Sequence, residues 1–334
     1  MNYRDREKFE RLATTFENNF LVTRMLAWYL ENCPELINAE MISELTAEGD
    51  ITPAEGCAAI LAEVFGLDAS RSQRDRHLIR SYINPAVRIL SVDKYRENPY
   101  YKNVRIENVK SGSWEYKNER YPAFRAMICD DMTILDDFTE IPPIGFFTED
   151  FDFPAVLEDG NEWMTLTPVD LDTSEDAIAR AHGRVVTFGL GLGYYAYMVS
   201  EKDNVESITV VEKSEKVIEL FKKYILPQFP NASKVRVILA DAFEYAEQEC
   251  PREKYDFAFV DTWRDASDGA PMYRRMKALE HLSPETEFSY WIENFLISRC
   301  RAELFAEIEE ELEEGKRTLT YDETVARLLE VRGK

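Results

Sequence analysis

The spacing of hydrophobic and polar positions changes twice along the chain, and each change predicts a different kind of element. From Met1 to about Asn84 the spacing is helical: Phe9, Leu12, Phe16 and Phe20 share one face, and Met25 to Leu30 continues it. Thr52-Pro53-Ala54-Glu55 predicts a helix start, with Thr52 as cap, Pro53 in the first helical position and Glu55 reaching back to the cap. Gly66 stops that helix after Phe65, and Glu40 to Ala47 predicts a shorter helix closed by Gly49. From about Ser111 aromatic residues and prolines rise (Trp114, Tyr116, Tyr121-Pro122, Pro142-Pro143), and short strands between turns fit better than helices. Glu158-Asp159-Gly160-Asn161 predicts a hairpin turn there.

Beyond Leu166 strands and helices alternate. A helix capped by Thr173 runs to about His182, followed by strands at Val185–Phe188, Ser207–Val211, Val235–Leu239, Tyr255–Val260 and Glu287–Ile292. Such alternation predicts an α/β fold, a doubly wound and mostly parallel sheet with helices on both faces. Nothing after Glu293 reads as a pair of strands, so the sheet either stops at five or is completed by strands between Ser111 and Leu166. Leu296, Cys300, Leu304, Ile308 and Leu312 then repeat every four residues, and a last helix spans Asp322 to Val331. The expected organisation is a helical N-terminal region over 1–110, a β-rich connecting segment over 111–170, and a Rossmann-like domain with C-terminal helices over 171–334.

Composition narrows the partners. The 334 residues carry a formal charge of −23, which repels phosphate backbones and argues against nucleic acid. Arg71, Arg74, Arg76 and Arg80 read as a solvated face or as ion-pair partners for the acidic remainder. No apolar run approaches the roughly 20 residues of a membrane span, and the N-terminus has no secretory pattern. Five scattered cysteines without a C-x-x-C pair suit reduced thiols in the cytoplasm. The three histidines are isolated and predict no metal site. The phenylalanine stripe from Phe9 to Phe20 reads as core or as the contact of a homodimer.

Candidate chemistry lies where strands end. Val185-Val186-Thr187-Phe188 runs directly into Gly189-Leu190-Gly191-Leu192-Gly193, and Tyr194 opens a helix. A strand that stops in glycines and restarts as a helix brings bare backbone and free N–H groups to a ligand. The spacing is G-x-G-x-G, and Tyr194 occupies the place of the third glycine of a dinucleotide fingerprint, where it obstructs a pyrophosphate. Glu212, Asp241, Asp261 and Glu293 fall at or just beyond the next strand ends.

The glycine turn followed by these ordered acids, over about Thr173 to Glu293, resembles the class I S-adenosylmethionine (SAM)-dependent methyltransferase superfamily. The resemblance implies that Gly189, Gly191 and Gly193 pass under the methionine and ribose part of SAM. It implies that Glu212 accepts the ribose hydroxyls, that Asp241 and Ala242 read the adenine edge, and that Lys213 flanks the adenine face. It also places the substrate near Asp261-Thr262-Trp263, with Asp261 as candidate base. The expected function is methyl transfer to a small-molecule or protein acceptor. Thr187 stands where the superfamily often has an acid that helps hold the amino group of SAM. Two alternatives remain open. An aminopropyltransferase of the spermidine-synthase kind shares the fold and an aspartate after the fourth strand, although the G-G-G-x-G and D-S-x-D-P forms are absent here. A non-catalytic SAM-binding module is the other.

Overall fold

The computed structural model describes residues 3–314 and 320–332. Its chain forms two units, each assembled from separated segments: one from residues 1–90, 122–150 and 294–334, the other from 91–121 and 151–293.

The second unit holds the parallel sheet. Its strands lie in the order Val235–Leu239, Val205–Glu212, Gly183–Phe188, Phe257–Val260, Glu287–Tyr290, and all four pairings are parallel. In chain order this is 3-2-1-4-5, so the direction of winding reverses between the first strand and the fourth. Ligands of such sheets bind beyond the strand ends at that reversal. Val185, Val186 and Phe188 are wholly buried, as an apolar run covered on both faces requires.

Of two open alternatives for the sheet one is found, and one expected helix start is corrected. Among the described residues, no strand joins this sheet from upstream. The segments Val109–Ser111, Trp114–Tyr121, Phe151–Glu158 and Asn161–Thr165 form their own antiparallel sheet, so the five-stranded form is the one found. The helix before the first strand is Pro168–Arg180, not one opening at Thr173. Thr167 caps it, donating from both its N–H (2.7 Å) and its hydroxyl (2.9 Å) to Asp170 Oδ2. Proline in the first helical position fixes this start, and Thr173 lies inside the helix, its hydroxyl turned back to the Val169 carbonyl. The hairpin turn forms where expected, with positive φ at both Asp159 (52°) and Gly160 (81°), the backbone that two-residue turns favour.

The first unit is mainly helical. In Tyr3–Asn32 the phenylalanine stripe is largely core: Phe16 stacks on Phe305 of the helix Glu293–Glu313 at 4.3 Å, and Phe9 packs on the same ring at 5.6 Å. Phe20 departs from the stripe and is 63% exposed. The Thr52–Glu55 capping box forms as expected. A small sheet, Val87–Leu90, Ile144–Phe147 and Met127–Ile128, covers a second cluster around Tyr29, Leu61, Tyr82 and Phe146. Asp131 takes the N–H groups of Asn294 (2.9 Å) and Phe295 (3.1 Å), which settles two orphan donors of the first turn of the long helix. No described helix is long and apolar enough to cross a membrane.

Candidate functional site

Each glycine of the turn serves a different close approach. Gly189, at φ +102°, gives its N–H to the Val211 carbonyl at 2.9 Å. A Cβ there would lie 1.9 Å from the carbonyl oxygen of Asp261, so the turn and the end of the fourth strand pack backbone to backbone. Gly193, at φ +75°, starts the helix Tyr194–Ser200, and a Cβ there would meet the Phe221 ring at 2.4 Å. Gly191, at φ +50°, is covered by a side chain: a Cβ would lie 1.7 Å from Met164 Sδ. Met164 is on the second strand of the hairpin, so this hairpin is laid across the turn.

The acids lie around the turn in distinct roles. Glu212 ends the second strand and holds two backbone N–H groups, Leu190 at 3.2 Å and Ser214 at 2.7 Å. It thereby ties the glycine turn to the start of the following helix, and burial raises its carboxyl above the ordinary range. Lys213 is exposed, its Nζ 5.8 Å from the centre of the Trp163 ring in the hairpin. Asp241 is also exposed and caps Ala242–Gln248, one oxygen accepting from Phe243 (2.9 Å) and Glu244 (3.1 Å). Asp261 gives its N–H to the Phe188 carbonyl at 2.9 Å. Burial, and then the negative charges of Asp170 and Glu212, push its carboxyl up to about 8.

Gly189 and Asp261 line one pocket, together with Met164, Asp170, Ser174, Thr187, Tyr194, Tyr195 and Trp291. Gly191, Gly193, Glu212, Lys213, Asp241 and Ala242 are not among its lining residues, although Glu212 reaches the turn through Leu190. Sequence reasoning missed Asp170, which is buried, pushed up to about 6 chiefly by that burial, and faces the same space as Asp261. The Thr167-Pro168-Val169-Asp170 pattern signals the helix start, but its place over the fourth strand end follows only from the fold. Thr187 is buried and lines the pocket, and Tyr194 accepts a hydrogen bond from Asn98 Nδ2 at 3.2 Å. Trp263 stacks on Tyr290 at 6.4 Å. Tyr195 Oη, in a residue that lines the pocket, has no partner among the described residues, nor do Thr262 Oγ1 and Trp263 Nε1, which follow Asp261 in the chain and are not among the lining residues.

The arrangement can hold a cation. Asp170 and Asp261 both line the pocket, the charge of Glu212 reaches Asp261, and no lysine or arginine is among the lining residues. Comparison with known proteins bears on which reaction this serves. Residues 180–278 match a family model. That model is the spermine/spermidine synthase domain. The matched segment contains the glycine turn, Glu212, Asp241 and Asp261. The crystal structure of spermidine synthase from Thermotoga maritima is similar at 15% identity, over 59% of this chain and 71% of that chain, with a TM-score of 0.32. No curated protein matches the sequence.

The family match overturns the expectation of a SAM-dependent methyltransferase. The reason is that the glycine turn and the acids after strands two, three and four all lie within the matched segment, so they do not separate the two classes of enzyme. That pattern fixes the fold and leaves the transferred group open. The Rossmann-like fold itself stands, as the 3-2-1-4-5 parallel sheet demonstrates.

Proposed function

We propose that this chain transfers an aminopropyl group from decarboxylated SAM to an amine acceptor. The observation that carries the reading is the match of residues 180–278 to the spermine/spermidine synthase domain, a segment that includes Asp261.

The charge of the site supports it. A donor that has lost its carboxylate presents only positive charge, at the sulfonium and at the terminal ammonium. Asp170 and Glu212 attract such a donor, whose cation in turn favours the ionised form of Asp261, whereas the carboxylate of intact SAM would be repelled by them. Glu212 is suited to the two ribose hydroxyls, since a carboxylate accepts from adjacent O–H donors. The space next to Gly191 suits a ligand once Met164 turns away from it.

In the reaction the acceptor nitrogen attacks the propyl carbon bonded to sulfur. The C–N bond forms as the C–S bond breaks, and the bond's electrons pass to sulfur, which leaves as a neutral thioether. The nitrogen then carries one proton too many. Asp261, whose pKa of about 8 lies near that of an ordinary working base, receives it. Holding nitrogen, carbon and sulfur in line supplies much of the remaining acceleration.

Incubation with decarboxylated SAM and a panel of primary amines tests this. Methylthioadenosine, released whichever amine accepts, is the expected product. Its absence with every amine, in protein that binds methylthioadenosine, would sink the reading.

A further inference from the structure

Asp170 is the pocket acid to which proton transfer gives no task. Thr167 fixes it in the first turn of Pro168–Arg180, and both hydrogen bonds from the threonine fall on Oδ2, so Oδ1 stands outside the cap. The side chain is buried, yet it lines the same pocket as Asp261, and its charge reaches that carboxyl. Buried charges are ordinarily paired. No lysine or arginine lines this pocket, and its other polar side chains, Ser174, Thr187, Tyr194 and Tyr195, are neutral groups. The pocket itself offers Asp170 no cation; a ligand can.

In aminopropyl transfer, the reading on which this rests, two nitrogens meet two acids. The acceptor nitrogen has to lose a proton, which calls for the acid able to take one, and Asp261, pushed up to about 8, is that acid. The terminal ammonium of the donor keeps its charge throughout. It calls for a carboxyl that is already ionised at neutral pH, and Asp170, at about 6, is the one. The tether is short, since a propyl chain joins that ammonium to the carbon under attack. With the carbon beside Asp261, the ammonium falls within the same pocket.

We infer that Asp170 determines donor specificity: its carboxylate receives the terminal ammonium of the aminopropyl chain while Asp261 faces the acceptor nitrogen.

Decarboxylated S-adenosylhomocysteine and methylthioadenosine share the adenosyl thioether and differ in the arm that carries the ammonium. Each is titrated into the protein by calorimetry. The ammonium-bearing ligand is expected to bind about tenfold tighter or more, as a hydrogen bond to a charged group would give. Asp170→Asn keeps an oxygen for the Thr167 cap and removes the charge. It should erase most of that preference and leave methylthioadenosine binding unchanged. Thr167→Ala loosens the cap and spares the charge, so it should retain the preference. Equal affinities in the wild-type protein overturn the proposal whether or not either variant folds. A preference that survives Asp170→Asn also overturns it, as does one lost in Thr167→Ala protein that still binds methylthioadenosine, because Asp170 would then act only through the helix start. Failure of the underlying reading shows separately. Methylthioadenosine release from decarboxylated SAM and a primary amine, joined to any of those results, sinks only the role of Asp170, whereas no release with any amine sinks aminopropyl transfer.

Discussion

Asp261 concentrates the chemistry at the residue scale. Asp261→Asn keeps the shape and removes the proposed base, so kcat for the proposed transfer should fall by about a hundredfold or more while methylthioadenosine still binds, which steady-state kinetics and calorimetry separate. The raised pKa also has a sign. The folded protein holds the Asp261 proton more tightly than the unfolded chain, whose value is the ordinary 3.8. That contribution to stability is complete below pH 3.8 and is lost as pH rises through about 8. A urea midpoint measured from pH 6 to 9 should therefore decline more steeply in wild type than in Asp261→Asn; parallel declines would assign the slope to other groups. A cationic ligand reverses the preference by favouring the ionised form, so amine binding should release a proton near neutral pH, visible as a dependence of binding heat on the buffer used. Gly189 is the residue that fixes where Asp261 sits. Gly189→Ala sets a Cβ 1.9 Å from a backbone oxygen at a φ of +102°, and stability should drop by about 2–3 kcal/mol or more in denaturant titration. A loss within about 0.5 kcal/mol would show that the strand end gives way easily.

At the scale of elements, the hairpin Phe151–Glu158 and Asn161–Thr165 lies over the turn through Met164. A ligand that needs the space beside Gly191 has to displace that thioether, and its lost packing counts against affinity. Met164→Ala is expected to tighten methylthioadenosine binding several-fold in a calorimetric titration. Weaker binding would mean that Met164 packs on the ligand instead of excluding it. This contact also marks where the sequence stops being legible. The hairpin turn, the five strands and the glycine turn were readable because each rests on a local pattern: an Asp-Gly pair, an apolar run, glycines directly after a strand. The start of Pro168–Arg180 was misplaced because Thr167 and Thr173 both look like caps, and proline decides between them. Met164 and Asp170 escaped notice because nothing next to them in sequence shows what they touch. Met164 lies 27 positions before the glycine it covers, and Asp170 lies 91 before Asp261.

For the whole molecule, the formal charge of −23 bears on kinetics more than on fold. With the proposed amine acceptor, that field steers the encounter, so kcat/KM for a diamine should fall as ionic strength rises from low to physiological values and beyond. A rate indifferent to salt would limit the charge to a role in solubility. At this scale, too, charge and turn chemistry in the sequence pointed to an adenosyl-binding enzyme, while the transferred group stayed out of reach.

The segmented first unit has a consequence for how the protein is made. Its core needs residues 122–150 and the helix Glu293–Glu313, and that helix is translated only after the sheet-bearing unit is complete. The part of the chain that leaves the ribosome first is thus the last to close. Until Phe305 emerges, Phe9 and Phe16 wait without the ring they stack on. A nascent chain halted near residue 293 would carry a finished sheet behind an unfinished helical partner, with its phenylalanine stripe open to chaperones and proteases.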